Sequence, residues 1–321
     1  MKYVALLSVA LATVAAGLLL GPASVPAGEF LRSPIVWQLR LPRVVLAYLV
    51  GGVLGVTGVA LQALVRNPLA DPFLLGLSGG AGLGAVVAIA LHLPGPWALP
   101  LAAFAGAVGA MVLVYRLGLI GGTGGAGGAG GELDPRILLL GGVAVGAFAA
   151  AITTALVSLA EATELRNAFL WLWGGFSAAS WTTVLVMLVY APLPLAVIAA
   201  AARPLDLLAL GEEPAQYLGA DVRRLKQLVY LAASLLTAAA VALSGVIGFV
   251  GLIVPHVCRL VWGRLHRTLI PTSFLTGGIL LAAADTLART AVAPRELPVG
   301  IVTALIGVPL FAFLLRRWTV S

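Results

Sequence analysis

The ionisable residues that lie inside apolar stretches are the first candidates for chemistry in this sequence. Asp285 stands clearly within one such stretch, and Arg289 follows it four residues later. Residues four apart face the same side of a helix, so the two side chains can form an ion pair. A lone intramembrane acid could instead bind a proton or an ion. The ion pair is the favoured interpretation, because the arginine lies within reach of the carboxylate.

Patterns that bind ATP or perform nucleophilic catalysis are missing from the sequence. A phosphate-binding loop requires Gly-x-x-x-x-Gly-Lys followed by Ser or Thr. The two lysines of the chain, Lys2 and Lys226, are followed by Tyr3 and Gln227. No nucleophile elbow or Ser/His/Asp arrangement is visible in the sequence. We therefore expect no catalytic residue in this chain and no ATP bound through such a loop.

Histidine and cysteine are too sparse to predict a metal centre. His92, His256 and His266 are separated along the chain, and none has a second ligand at helical spacing. The single cysteine, Cys258, excludes an internal disulfide and a cysteine-based cluster, and we expect it to be an inert buried thiol. The sequence therefore predicts no metal and no cofactor bound by this chain.

The composition predicts an all-α polytopic membrane protein, with residues 1–321 forming a single transmembrane domain. Hydrophobic residues make up 61% of the 321 residues and charged residues 10%, with a mean hydropathy of +1.09. Soluble domains carry about a quarter charged residues, so a cytosolic enzyme and a secreted domain are excluded. Disordered chains are polar, and outer-membrane barrels need alternating strands, whereas the apolar runs here are continuous.

Ten apolar runs approach the length of about 20 residues that a helix needs to cross a bilayer. The first run resembles a signal peptide but is longer than the usual signal core, so we predict an uncleaved span. The stretch 228–263 is too long for one span and contains Ser244 and several glycines, so we divide it into two. The predicted spans are 4–20, 44–65, 73–93, 97–117, 137–159, 182–202, 228–243, 247–263, 272–291 and 298–315.

The distribution of basic residues tests this count, since cytoplasmic loops are rich in arginine and lysine. With ten spans and a cytoplasmic N-terminus, thirteen of the 19 basic residues lie inside and six outside. With nine spans the division becomes ten and nine, and the asymmetry is lost. We therefore predict ten transmembrane helices with both termini in the cytoplasm. The net charge of +7 reflects this topology rather than nucleic-acid binding.

The longest predicted cytoplasmic loop has features of a contact surface for a soluble partner. It reads RPLDLLALGEEPAQYLGADVRRLK over residues 203–226. Proline and acidic residues favour a helix start, so the loop predicts two short helices, Leu205–Leu210 and Pro214–Leu218, separated and ended by Gly211 and Gly219. Such helices could dock into a groove of a partner, or lie on the lipid interface.

Four arginines on the predicted outer side depart from the positive-inside tendency. They could bind an acidic soluble partner by charge complementarity, or anchor lipid headgroups, and the residues alone leave both possibilities open. These arginines are Arg40, Arg43, Arg289 and Arg295.

Glycine is abundant and serves two predicted purposes. Three pairs have the small-xxx-small spacing of close helix contacts, and we expect these contacts within one bundle rather than between subunits. The pairs are Gly51/Gly55, Gly80/Gly84 and Gly142/Gly146. The tract GGTGGAGGAGG over residues 121–131 predicts a flexible linker.

Several segments together, covering most of the chain from Trp37 to Phe311, resemble one family. They are WQLRLPR (37–43), ALQALVRNPLADPFLLGLSGGAGLG (60–84), LWLWGGF (170–176), LALGEEPAQYLGADVRRLK (208–226), GVIGFVGLIVPHVCRL (245–260), and LAAADTLART with ELPVGIVTALIGVPLF (281–290, 296–311). The chain resembles the membrane permease subunit of type II ABC importers, the FecCD/BtuC-like permeases for iron-siderophore, haem and cobalamin uptake.

The resemblance implies a homodimer of ten-span subunits around a central translocation path. Two cytoplasmic ATPase subunits, which hold ATP and Mg, would bind below, and a periplasmic substrate-binding protein would dock above. The implied function is import of a metal chelate (haem, a corrinoid or a ferric siderophore) from periplasm to cytoplasm by alternating access. A proton-coupled secondary transporter is the alternative, with only Asp285 to support it.

The resemblance also implies roles for particular residues. Residues 205–226 would form the cytoplasmic coupling-helix loop that contacts the ATPase, through Gly211, Glu212, Glu213, Leu218 and Gly219. The residues that would dock the binding protein are Arg40, Arg43, Arg289 and Arg295. The inner gate would lie just before the fifth span, at Asp134, Pro135 and Arg136.

Overall fold

The structure, a computed structural model, describes residues 2–23, 25–121 and 133–318, which form helices joined by short loops and include no β-strand. Short 3-10 helices lie at Ala27–Arg32 and Pro72–Leu75, and a π-helix at Ile35–Arg40. The α-helices are α1 (Lys2–Leu19), α2 (Leu41–Val65), α3 (Leu77–Ala90), α4 (Ala98–Gly121), α5 (Pro135–Ser158), α6 (Ala162–Leu172), α7 (Trp181–Tyr190), α8 (Pro192–Ala200), α9 (Ala202–Leu208), α10 (Glu212–Tyr217), α11 (Val222–Ser244), α12 (Val250–Trp262), α13 (His266–Thr290) and α14 (Val299–Trp318).

The apolar helices follow the predicted runs. Seven helical segments within the described residues are long and apolar enough to cross a membrane, and one of them, Trp181–Ala200, joins α7 to α8. Three shorter apolar helices coincide with α3, α12 and the first part of α14. The prediction of an all-α polytopic membrane protein is therefore confirmed. Each of the ten predicted runs contains one of these seven long or three shorter apolar helices.

Helix α2 lies at the centre of the bundle, buried along most of its length against α11, α12 and α13. Glycine permits this close packing. A Cβ atom on Gly51 would collide with the backbone carbonyl of Gly277 in α13, and one on Gly58 with that of Gly251 in α12. Small residues matter at such interfaces because lipid supplies no hydrophobic drive between helices, so close van der Waals contact must replace it.

The three predicted small-xxx-small pairs all contact other parts of the same chain. They are Gly51/Gly55 against α13, Gly80/Gly84 against α4, and Gly142/Gly146 against residues 74–76. The prediction that these pairs serve packing within one bundle is therefore confirmed. The predicted linker 121–131 lies outside the described residues, apart from Gly121 at the end of α4.

Capping explains where the observed helices depart from the predicted spans. The run 73–93 becomes the shorter α3, because the Asp71 carboxylate accepts the Phe73 N–H at 2.9 Å and starts a 3-10 turn first. Helix α11 begins well before residue 228, since Asp221 caps it by accepting the Arg224 N–H at 3.0 Å. It ends at Ser244, as the division of 228–263 predicted.

The charged residues of the bundle collect at two opposite ends. One end holds a cavity bordered by Arg43 and Glu296, and we call it the cavity end. The other holds the segment between α8 and α11, including Glu212, and we call it the loop end. Helix α2 connects the two, from Arg40 before its start to Arg66 at its end. Its 25 residues rise about 37 Å, so the ends are separated by a membrane-sized distance.

Candidate functional site

At the cavity end, hydrogen bonds and ion pairs join the start of α2, the last turns of α13 and the loop before α14. The Arg43 guanidinium approaches Asp285 of α13 at 2.8 Å, with its Nε also donating to that carboxylate at 3.0 Å. It reaches Glu296 at 2.9 Å, in the loop before α14. Arg289 lies 3.9 Å from Asp285, so the predicted pair exists, but the shorter and bidentate partner of Asp285 is Arg43.

Arg40 and Arg289 cap the end of α1. The last carbonyls of a helix have no partner within it, and cations near a helix C-terminus are favourable. Arg40 donates to the carbonyls of Leu18 at 2.8 Å and Leu19 at 3.0 Å, and also to that of Ala23. Arg289 donates to the carbonyl of Gly17. Both side chains are buried and hold α1 against α2 and α13.

The four arginines predicted to dock a binding protein therefore occupy two kinds of environment. Arg40, Arg43 and Arg289 point into the chain, where carbonyls and carboxylates of the same chain accept their hydrogen bonds. Arg295 is exposed beside them in the loop before α14. The docking role remains a prediction for all four, and Arg295 is the one among them whose charge is presented at the surface.

A cavity of about 720 Å³ opens at this end. Its walls come from the end of α3, from α6, from the end of α11, and from segments 174–178 and 296–299. The lining combines aromatic rings such as Trp171 and Phe176 with polar and charged groups, including Asn167, Glu161 and Glu164. A cavity of this volume can accommodate a bulky ligand, and its charged groups can form directed contacts with one.

An ion pair between neighbouring elements lies at the rim of this cavity. His92 Nε2 is 2.8 Å from Glu164 Oε1, which joins the turn after α3 to α6. Glu164 Oε2 also accepts the Glu161 N–H at 3.2 Å, and this bond helps to start α6. His92 thus has a structural partner. Within the described residues no group of three or more His, Cys, Asp or Glu side chains could hold a metal ion.

At the loop end, the two predicted short helices are observed as α9 and α10. Gly211 precedes α10 with a φ of +125°, a conformation that residues with a Cβ rarely adopt. The apolar side chains of this loop divide between the bundle and the surface. Leu205 and Leu208 are fully buried, whereas Tyr217 is 90% exposed and Leu210 and Leu218 are also exposed. The three exposed side chains form the outward-facing group of the loop. This group, which we call the α10 patch, is an unusual surface feature for a charged loop.

The acidic start of α10 divides into one bonded and one exposed residue. Glu212 Oε2 is 2.5 Å from Lys226 Nζ in α11, and Glu212 Oε1 is 3.3 Å from Arg66 Nη2 at the end of α2. Glu213 is exposed. Gly219 follows α10 with a φ of +88°, which ends the helix as predicted.

The predicted inner gate lies at the start of α5, close to this network. Asp134 is the N-cap and accepts the Arg136 N–H at 2.8 Å, while Pro135 occupies the first helical position. Lys226 Nζ donates to the carbonyl of Leu133, the residue before Asp134, at 3.3 Å. The structure therefore brings the coupling-loop and gate candidates together through Lys226, although their functional roles remain predictions.

Two further acids organise the loop end. Asp71 is half-buried between α2 and α3; burial raises its pKa to about 6, against the opposing hydrogen bond from the Phe73 N–H. Asp206 of α9 lies 2.6 Å from the His266 ring, and accepts the His266 N–H at 3.0 Å at the start of α13. Cys258 is fully buried, as expected of a structural thiol.

Comparison with known proteins identifies the architecture. The model of the FecCD transport family matches residues 6–317, nearly the whole chain. The chain belongs to the FecCD transport family. This is the family that the sequence motifs indicated, and its members are ABC transporter permease subunits. The protein is therefore a multi-pass ABC transporter permease of the inner membrane.

Curated relatives and a solved structure support this assignment. The permease is 47% identical over 282 residues to the cobalamin import system permease protein BtuC of Halobacterium salinarum, covering 88% of this chain and 73% of that protein. It is 38% identical over 313 residues to the vitamin B12 import system permease protein BtuC of Klebsiella pneumoniae subsp. pneumoniae, covering 96% and 91%. An inward-facing ABC transporter structure, described as of the metal-chelate type, matches with a TM-score of 0.87, 30% identity and 98% coverage of each chain.

Sequence reasoning missed several residues that shape these sites in the permease. Arg66, Lys226 and Glu296 were not singled out. The partners of Arg66 and Glu296 are distant in the sequence, and so is the Leu133 carbonyl to which Lys226 donates. Helix α6 was also missed, since it is too short and too polar to register as a span. The Glu161-x-x-Glu164 spacing, which places an acid at the N-cap and a second acid three residues on, was the available signal.

Proposed function

We propose that this permease is the membrane subunit of an ATP-driven importer that moves a metal chelate into the cytoplasm by alternating access. The observation that carries the proposal is the α10 patch, an exposed apolar surface on a short helix whose Glu212 is bonded to the transmembrane bundle. A chain without a phosphate loop needs a partner to supply ATP hydrolysis, and an exposed helix of this kind suits docking into a groove of that partner.

The proposed topology has ten spans with the loop end in the cytoplasm. The three shorter apolar helices count as spans in this proposal. Supporting it, thirteen basic residues fall on the side of the loop end and six on the side of the cavity end, as the positive-inside rule requires. Lys2 donates to the carbonyl of Val261 at 2.9 Å, so the start of α1 lies beside the end of α12.

The proposed assembly pairs two copies of the permease with two ATPase subunits, which hold ATP and Mg, at the loop end. A substrate-binding protein docks at the cavity end, where Arg295 offers an exposed positive charge. Closure of the ATPase dimer displaces α9 and α10, and the displacement tilts the spans so that the path opens alternately to each side. The permease performs no covalent chemistry in this cycle.

The proposed cargo class is a metal chelate, with a corrinoid as the first candidate and haem or a ferric siderophore as the others. The names of the curated relatives, which describe cobalamin and vitamin B12 import, support the corrinoid. The cavity of about 720 Å³ is consistent with a bulky cargo at the outer mouth of the path. Its walls are mostly apolar but include charged groups such as Glu161 and Glu164, and selectivity is assigned to the binding protein.

A proton-coupled secondary transporter is less well supported. That function needs an intramembrane acid free to exchange its proton, whereas Asp285 accepts hydrogen bonds from Arg43 and lies beside Arg289. An acid whose oxygens are occupied by two neighbouring arginines serves structure, which favours the ion-pair interpretation.

The test is ATP hydrolysis and uptake by the complete complex in proteoliposomes. The permease is co-purified with its ATPase, and binding protein loaded with cyanocobalamin, haem or a ferric hydroxamate is added outside. Uptake that requires ATP and a loaded binding protein supports the importer and identifies the cargo class. Failure to form a complex with the ATPase, or uptake driven by a proton gradient alone, would overturn the proposal.

A further inference from the structure

Glu212 is bonded on both sides to the transmembrane bundle. One of its carboxylate oxygens meets Lys226 of α11 at 2.5 Å, and the other meets Arg66 of α2 at 3.3 Å. The same residue begins α10, whose Tyr217 is almost fully exposed. The carboxylate at the first residue of α10 is thus bonded to two helices of the bundle, α11 and α2.

Lys226 continues this connection into the bundle. Its ammonium group donates to the carbonyl of Leu133 at 3.3 Å, in addition to its bond with Glu212. Leu133 precedes Asp134, which caps the start of α5. A single side chain of α11 therefore bridges the base of α10 and the segment that leads into α5, which are about 80 residues apart in the sequence.

The two connections differ in strength. Lys226 is 3% exposed, and a buried ammonium group is costly unless its donors are paired, so this bond resists separation. Arg66 is 46% exposed, and water and salt weaken ion pairs at such positions. The connection from α10 to α5 through Lys226 is therefore the stronger one, and the ion pair that connects α10 to α2 through Arg66 is the weaker one.

We propose that Lys226 is a positioning residue that transmits displacement of α10 to the start of α5 through Glu212 and the Leu133 carbonyl. The proposal rests on the proposed function, since it assumes that an ATPase moves α10. It assigns Glu212 a contact within the permease rather than a contact with the ATPase. When the bond is lost, ATP hydrolysis continues but no longer drives the path to open.

The experiment compares three variants of the complete complex in proteoliposomes. Lys226→Met keeps the length of the aliphatic stem and removes the charge, and Glu212→Gln is a nearly isosteric change at the other partner. Arg267→Met removes a basic charge from an exposed position on the first turn of α13, outside the segment 205–226, and is the matched control. For each variant, ATP hydrolysis and chelate uptake are measured on the same preparation, after size-exclusion chromatography has established that the ATPase is bound.

The expected result is a ratio of ATP hydrolysed to chelate imported that rises roughly tenfold in Lys226→Met and Glu212→Gln. The double variant should be no worse than Lys226→Met alone, because the two changes break one bond. Arg267→Met should retain the wild-type ratio. Assembled variants with an unchanged ratio, or a double variant whose defects simply add, would overturn the proposal.

Two outcomes separate this inference from the function on which it rests. If the wild-type complex shows no ATP-dependent uptake of any chelate, the proposed function fails. If the wild type transports and the variants transport with the same ratio, only the role of Lys226 fails. Should Lys226→Met not assemble, Glu212→Gln decides the matter, because it removes the charge that holds Lys226 and changes a side chain that is only partly buried.

Discussion

At the residue scale, the burial of Asp285 explains why three charged side chains can lie within the bundle. The carboxylate is fully buried, and two guanidinium groups approach it from α2 and from its own helix. A buried charge without a partner is strongly unfavourable, so each member of the group depends on the others. The arginines of this cluster therefore have a structural task whether or not they also meet a partner protein.

Replacing Asp285 by Asn should destabilise the permease by about 3–5 kcal/mol, because it leaves Arg43 and Arg289 buried without their shared counter-ion. The measurement is thermal unfolding of the purified permease in detergent. Glu296→Gln is the comparison, since Glu296 is 34% exposed and its loss should cost at most about 1 kcal/mol. Equal effects of the two substitutions would contradict the structural importance of Asp285.

Asp71 should make stability depend on pH. Its pKa is raised from 3.8 to about 6 by burial, so the fold favours the protonated form. The resulting stability is fully present below the unfolded pKa and is lost as the pH rises through about 6. Asp71→Asn keeps an N-cap acceptor and removes the titration. As the pH rises from about 4 to about 6, the melting temperature of the wild type should therefore fall relative to that of the variant. A constant difference over this range would contradict this account.

At the element scale, backbone contact between helices is the principal constraint on the sequence. The helices around α2 approach so closely that a methyl group at Gly51 would meet the backbone of α13. A backbone carbonyl cannot rotate away as a side chain can, so a larger residue at Gly51 would force the two helices apart. The same reasoning explains why the small-xxx-small pairs were correctly predicted to serve packing within the chain.

Gly51→Leu should prevent α2 and α13 from packing and should yield little monodisperse permease. The cost should exceed the ~1–3 kcal/mol of ordinary overpacking, because the obstacle is a backbone carbonyl. Gly109→Leu in α4 is the control, since that position faces open space. Both yields can be compared by size-exclusion chromatography after identical expression. A monodisperse, thermally stable Gly51→Leu permease would show that the helices can separate.

At the scale of the whole molecule, the two ends of the bundle present different surfaces. The loop end exposes the apolar α10 patch, and the cavity end exposes Arg295 beside the buried arginine cluster. An apolar patch suits a stable subunit contact, whereas an isolated surface charge suits a reversible and salt-sensitive encounter. This difference agrees with the proposed assembly, in which the ATPase binds at the loop end and the binding protein docks at the cavity end.

Tyr217→Glu should weaken binding of the ATPase, since it introduces a charge at the centre of the α10 patch. A central interface aromatic contributes about 2 kcal/mol or more, so the affinity should fall roughly thirtyfold. Co-purification and titration of the ATPase in detergent measure the effect. Leu265→Glu alters another exposed apolar residue of the loop end, outside the segment 203–226, and should have little effect. Equal loss in both variants would place the contact elsewhere.

Arg295→Glu should weaken docking of the binding protein, and the effect should shrink as salt is raised. It should leave the melting temperature of the isolated permease unchanged, because the side chain is exposed. Arg40→Gln should instead lower the melting temperature of the isolated permease, since Arg40 caps α1. Surface capture of the binding protein and thermal unfolding provide the two measurements. Normal docking by Arg295→Glu would exclude this residue from the interface.

The sequence by itself determined the class of the molecule, the positions of its apolar helices and the two short helices of the loop. These features depend on local hydrophobicity, proline, glycine and capping, which act over a few residues. The end of a helix at Ser244 could be predicted for the same reason, because the glycines that interrupt the helix follow directly in the sequence. Family membership could also be predicted, since the motifs that indicate it are continuous segments.

Only the tertiary structure decided which charges meet. Arg43 and Asp285 are 242 positions apart, and nothing local distinguishes Asp285 as the partner of Arg43 rather than of Arg289 alone. The link from Glu212 through Lys226 to Leu133 likewise requires three separate segments to converge. Ion pairs form between whichever groups packing brings within a few ångströms, so they follow from the arrangement of the helices rather than from the order of the residues.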